Sequence, residues 1–177
     1  MTTLNAVWPL FGLRLATPRL ELRPIQDEDI PAAVEAALSG IHQAGRNPFS
    51  TPWTELPAEE VGPKMARWYW RCRAECSPES WTLLLGIWHD GEFIGCQDVG
   101  AKDFALLKTV TTGSWLKQSV QGRGKLAQVI LRNCAAASWP STCNSQSGRL
   151  KESGVRRTCW TVSTWVPQAF LVMPLGS

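Results

Sequence analysis

The residues best placed to do chemistry lie in one run, Thr109-Val110-Thr111-Thr112-Gly113-Ser114-Trp115-Leu116-Lys117-Gln118-Ser119-Val120-Gln121-Gly122-Arg123-Gly124-Lys125. It reads as a β-rich stretch, a bend, a glycine pair around an arginine, and a helix start. A chain that leaves a strand and enters a helix through glycines exposes unpaired backbone N–H groups. Together with the positive end of the helix dipole, those groups form a seat for phosphate. Glycine lets the main chain approach an anion without a Cβ clash. Arg123 and Lys125 add positive charge. A nucleotide loop of the Walker type is excluded, because Gly-Arg-Gly-Lys-Leu lacks both the wider glycine spacing and the Ser or Thr after Lys.

The elements that must position this run follow from periodicity. Thr17 to Pro24 alternates Leu20 and Leu22 with Arg19, Glu21 and Arg23, which predicts a half-exposed strand. Asp27-Glu28-Asp29-Ile30-Pro31 opens a helix with acids at its N-terminus. Ile30, Val34, Ala37 and Leu38 make its expected apolar face, and Ser39-Gly40 ends it. Ile41 to Pro57, with three prolines, is a loop carrying the bulky Phe49 and Trp53. Ala58 to Cys76 is a second helix with Val61, Met65, Trp68 or Tyr69, and Cys72 at helical spacing; Gly62-Pro63 would delay its start. Trp68 and Trp70 flank Tyr69 and cannot share a helix face. Trp81 to His89 and Glu92 to Val99 are strands joined at Asp90-Gly91, a two-residue hairpin signal. Gly100 to Leu107 connects to a strand over Val110 to Lys117, and a helix follows from about Leu126 to Ser138. Thr158 to Val166 and Ala169 to Leu175 read as strands.

The whole is 177 residues with 44% hydrophobic content, enough for one domain with a core. The formal net charge of +3 suits an anionic small ligand and is too weak to argue for nucleic acid. No apolar run reaches the roughly 20 residues of a membrane helix. Met1 to Leu15 does not read as a signal peptide, so a cytoplasmic location is expected. The six cysteines are then expected as free thiols. Two histidines and no tight cysteine pairs argue against a structural zinc site, and no metal is expected.

The order β-α-α-β-β-β-loop-helix, with Thr17 to Pro24, the hairpin Asp90-Gly91-Glu92-Phe93-Ile94-Gly95, the strand Gly113-Ser114-Trp115-Leu116 and Gln121-Gly122-Arg123-Gly124, resembles the GNAT superfamily of acyl-coenzyme-A-dependent N-acetyltransferases. The most similar branch acetylates the N-termini of ribosomal proteins. The resemblance covers about Leu13 to Lys125. It implies an α+β, three-layer fold, with a mixed, mostly antiparallel central sheet flanked by helices. It divides the chain into a core, residues 1–138, and an atypical C-terminal segment, residues 139–177. It implies acetyl-CoA as co-substrate, its pyrophosphate wrapped by Gln121, Gly122, Arg123, Gly124 and Lys125. The backbone of Trp115, Leu116 and Lys117 would pair with the pantetheine arm.

The reaction so implied is attack by a neutral primary amine on the acetyl thioester. Asp98 is the candidate base, acting through water, and Ser114 a candidate donor to the thioester or thiolate. His42, Trp53 and Glu55 are candidate contacts to the acceptor, a protein N-terminus or a small molecule. A homodimer is also compatible with the tryptophans near the C-terminus. Two departures stand out. Leu126 occupies a position where the family has Gly or Ala. The sole tyrosine, Tyr69, is far in sequence from the family's acid. After Asp103 the only acid is Glu152, which reads as an ending from a shifted frame or recombination. The alternative reading is thus a catalytically impaired acyl-CoA-binding protein.

Overall fold

Our computed structural model describes residues 2–43, 45, 47–107, 109–122, 145–146 and 158–161. Alternation of side chains along each strand builds a sheet of seven strands in the order β1-β2-β3-β4-β5-β7-β6. These are β1 (Leu15–Ala16), β2 (Glu21–Pro24), β3 (Ser80–His89), β4 (Glu92–Lys102), β5 (Thr109–Leu116), β6 (Ser145–Gln146) and β7 (Thr158–Thr161). Every described pair is antiparallel. The helices are α1 (Leu4–Val7), α2 (Ile30–Leu38), α3 (Ala58–Ala74) and α4 (Phe104–Leu107). None is long and apolar enough to cross a membrane.

The hairpin β3–β4 is the spine. Asp90 and Gly91 both take positive φ, 52° and 80°, as a two-residue turn matched to strand twist requires. β4 runs three residues past the expected Val99, because Gly100, Ala101 and Lys102 still pair with Thr82, Trp81 and Ser80. The expected connector is thereby cut to Asp103 and the single turn α4.

Helices α2 and α3 pack on one face of this spine. The helical spacing predicted for α3 holds: Val61, Met65, Tyr69 and Cys72 are buried, while Trp68 and Trp70 are exposed. The helix runs through Gly62-Pro63 rather than starting after it. So near the N-terminus, a proline forfeits only one early backbone bond. The reading of α2 needs correction. Its fully buried residues are Ala33 and Ala36, and Leu38 is exposed. Ile30, Val34 and Ala37 pack beside the core rather than inside it. Small side chains let α2 sit close against its neighbours, and Val34 packs beside Gly62 of α3, where an added Cβ would make an ordinary contact at 3.5 Å. On the other sheet face Leu20, Leu22, Leu85, Ile87, Ile94 and Leu116 form a second cluster. Burial of side chains such as Leu22 or Ile87 contributes about 1.5–3 kcal/mol each.

The helix start is locked by one carboxylate. Asp29 receives both Arg23 guanidinium nitrogens, at 2.7 and 2.8 Å, and the Gln26 N–H at 2.9 Å. Arg23 in turn stacks on Trp88, 3.9 Å from the ring centroid. Asp29→Ala would leave that guanidinium and the Gln26 N–H without their acceptor. A loss of about 2–4 kcal/mol is expected by urea denaturation; a loss under 1 kcal/mol would contradict this account. Nearby, Asp27 accepts from Arg73 and from Trp70 Nε1, and these bonds hold its carboxyl below the ordinary value. That contribution is present above the unfolded-state value and fades as pH falls through the lowered one.

The helix expected from about Leu126 to Ser138 and the strand expected over Ala169 to Leu175 lie outside the described residues. Of the strand expected over Thr158 to Val166, β7 supplies Thr158 to Thr161.

Candidate active site

A cleft of about 400 Å³ opens between α3, the loop at residues 49–53, and strands β4 and β5. Alternation along the strands decides what faces it. In the β4–β5 register Asp98 lies opposite Gly113, and Cys96 opposite Trp115. All four therefore share the face toward α3. Gly113 donates its N–H to Asp98 Oδ1. A Cβ at Gly113 would lie 2.9 Å from both carboxylate oxygens, so glycine there makes the room Asp98 occupies. A smaller pocket, of about 30 Å³, lies behind Tyr69 beneath Trp8 and Phe11.

Ser114 borders the cleft as part of β5. Its register neighbour is Gln97, so its side chain belongs to the face opposite Asp98. Ser114 Oγ is buried and has no hydrogen-bond partner among the described residues. The structure does not bring the Asp98 and Ser114 side chains together.

The far edge of β5 is the second feature. Lys117 donates its amide to the Ile94 carbonyl at 2.9 Å. Counting back in twos, Trp115 and Gly113 direct their main-chain groups toward β4, and Leu116 and Ser114 direct theirs to the other edge. On that edge β7 pairs only with Thr109 to Thr112. Beyond Thr112 no described strand covers it.

The loop residues divide. Gln121 is taken up by the scaffold: Nε2 donates to the Ile41 carbonyl at 2.6 Å and to the Leu116 carbonyl at 2.7 Å, and its N–H to the Gln118 carbonyl at 3.2 Å. The Gln118 N–H meets the Gly40 carbonyl at 2.8 Å, so the turn is clamped to the end of α2. Lys117 Nζ is paired with Glu92. Gly122 has φ of 76°, and a Cβ there would meet nothing within 4 Å. It is a left-handed turn residue with no described atom against its Cβ direction. Arg123, Gly124 and Lys125 lie outside the described residues.

The acceptor-side candidates also divide. Trp53 lines the cleft, set at a tilt between Phe49 (ring centroids 5.1 Å apart) and Trp115 (6.1 Å). His42 stands behind Phe49, at 6.1 Å, and does not line the cleft. Its Nδ1 lies 2.9 Å from the Gln43 carbonyl and its Nε2 2.7 Å from Thr54 Oγ1. A carbonyl only accepts, so Nδ1 is the donor in the contact to Gln43. Glu55 is exposed, outside the cleft.

The sequence reading missed Tyr69 and Cys96 as cleft residues. Burial, with the Cys96 and Cys72 thiols beside it, raises the Tyr69 phenol, which stays protonated at neutral pH. Burial, reinforced by the Asp98 charge, likewise pushes Cys96 well above its ordinary value. Cys72 is pushed up to about 12, chiefly by burial. Cys72, Cys76 and Cys96 are free thiols, as expected, and remain un-ionised. Tyr69 is far from the loop in sequence, and only the packing of α3 on β4 and β5 could reveal it.

Two solved acetyltransferases have the same fold. Mycobacterium smegmatis RimJ, solved with CoA-disulfide, superposes with a TM-score of 0.53 at 16% identity, over 80% of this chain and 80% of that one. A probable acetyltransferase gives 0.51 at 10% identity, over 84% and 96%. RimL, a ribosomal L7/L12 alpha-N-protein acetyltransferase solved with coenzyme A, gives 0.48 at 16% identity, over 84% and 96%. No protein-family model matches the sequence. The architecture, an antiparallel sheet with α2 and α3 packed on one face, is a GNAT-like fold.

Proposed function

We propose that the protein transfers an acetyl group from acetyl-CoA to a primary amine. The observation that carries this reading is the edge of β5 from Gly113 to Leu116, which no described strand covers and where only the Leu116 carbonyl is taken, by Gln121, beside a cleft that contains Asp98. A ligand bearing amides can pair with such an edge as an added strand would. Gly122 opens the turn, and Arg123, Gly124 and Lys125, which follow it in sequence, are the residues we assign to the pyrophosphate. Gln121 acts differently from the expectation: it braces the turn, and its amide is not a free donor.

In the reaction, water relayed to Asp98 takes a proton from the ammonium. The amine nitrogen attacks the thioester carbonyl, the C–N bond forms, and the C–S bond breaks. The thiolate then takes a proton, and Tyr69 and Cys96 are the protonated groups that line the cleft. Trp53, Phe49 and Trp115 wall the cleft with apolar surface.

One observation favours the runner-up, an acyl-CoA-binding protein without turnover: Gln121 and Lys117 are both occupied by the protein itself. Calorimetric titration with acetyl-CoA separates the readings, run beside thiol release with amine acceptors. We expect binding, turnover, and at least a tenfold weaker dissociation constant in Gly122→Val, because a β-branched residue resists positive φ. Binding without turnover selects the runner-up. No binding at all sinks both.

A further inference from the structure

The α3 wall of the cleft carries charge that acyl transfer itself does not use. Lys64, Trp68 and Arg71 follow at i, i+4 and i+7, so they share one helix face. All three line the cleft and are exposed. The Arg71 guanidinium lies over the Trp68 ring, 4.8 Å from its centroid, which holds the charge at the cleft mouth. Arg73, on another face of α3, is neutralised by Asp27. Lys64 and Arg71 have no carboxylate partner among the described residues. The cleft lining thus holds two cations on the helix and one carboxylate, Asp98, on the sheet.

We infer that the acceptor is the free amino terminus of a peptide with acidic residues directly behind it. This rests on the acetyl-transfer reading. An ammonium is drawn toward Asp98, and acidic side chains following it meet Lys64 and Arg71. Seven residues of helix separate those two cations by about 10 Å along the axis. One small anion does not reach both. An extended peptide, advancing about 3.4 Å per residue, sets acids two residues apart about 7 Å from one another on one side, and the long side chains of Lys64 and Arg71 reach across the remaining few ångströms. The volume of about 400 Å³ lies within the usual range for a ligand site. Basic residues behind the amino terminus are repelled by the same rim.

The test uses the full chain and follows tryptophan fluorescence on titration, since Trp53 and Trp68 line the cleft. The probes are the amidated tetrapeptides Ala-Asp-Ala-Asp, its N-acetylated form, Ala-Ala-Ala-Ala and Ala-Lys-Ala-Lys, with free aspartate as the small-molecule arm. The acidic peptide should bind about tenfold more tightly than the alanine peptide, and more tightly still than the lysine peptide. Its N-acetylated form should lose about tenfold. In Lys64→Glu/Arg71→Glu the order of acidic and lysine peptides should invert, with the far-UV spectrum unchanged. In Lys64→Gln/Arg71→Gln the preference should flatten. Equal binding of acidic and lysine peptides, or an order unmoved by charge reversal, overturns the inference. Free aspartate binding as tightly as the acidic peptide overturns the peptide occupant. Thiol release from acetyl-CoA with the same peptides separates the two claims. Selective binding without release supports the peptide site and removes the transfer reading. Release indifferent to peptide charge keeps the transfer reading and removes this inference.

Discussion

Asp98→Asn is expected to lower kcat by about 10²–10⁴-fold, the usual worth of a positioned general base. The substitution is nearly isosteric. An asparagine oxygen still accepts the Gly113 N–H that Asp98 Oδ1 now receives. β4 and β5 should therefore keep their register, and acetyl-CoA affinity should change by less than about threefold. What disappears is the capacity to take a proton, directly or through water. Thiol-release kinetics across pH, with calorimetry at one pH, read both quantities. A variant within threefold of the parent at every pH would remove Asp98 from the chemistry. The base would then have to be sought among water relays to other groups.

Gly95→Ala is expected to cost about 3 kcal/mol or more, lowering the melting temperature by about 6–12 °C in a chain of this size. An added Cβ would fall 2.2 Å from the Trp115 carbonyl oxygen and 2.9 Å from the Leu116 Cα. Both are backbone atoms, so no rotamer change relieves the clash. β4 and β5 must part at the point where their pairing supports the cleft. Gly95 pairs with Ile87 on one side and Leu116 on the other, directly beside the register shift between Ile87 and Trp88 that leaves Ile94 as the extra residue. Activity should fall together with stability, since Cys96 and Asp98 follow directly on β4. Differential scanning calorimetry measures the first effect. A melting temperature within 2 °C of the parent would show that the strands absorb the methyl group without moving.

The legible parts of this molecule share one property: each is encoded within a short window. The Asp90-Gly91 turn, the buried stripe of α3 and the alternation of β2 follow from local dihedral preference and apolar period. The face of α2 was misread because the expectation followed side-chain size. Burial there follows closeness of approach, which selects Ala33 and Ala36 over Leu38. The same limit separates Asp98 from Ser114. Both lie on adjacent strands beside the same cleft, yet their faces depend on a register in which a single-residue offset reverses every side chain. Gln121 looked like a phosphate ligand in sequence. Its partners, the Ile41 and Leu116 carbonyls, come from another loop and from the strand edge, and only the fold brings them within reach.

By itself, then, the sequence determined which segments become strands, turns and helices, and that a glycine turn follows β5, because those outcomes rest on local backbone energetics. Tertiary structure alone decided that Tyr69, Lys64 and Arg71 face Asp98 across a cleft, and that Gln121 serves as a brace. Those outcomes depend on which surfaces meet when α3 closes over β4 and β5, and no local window carries the geometry of that meeting.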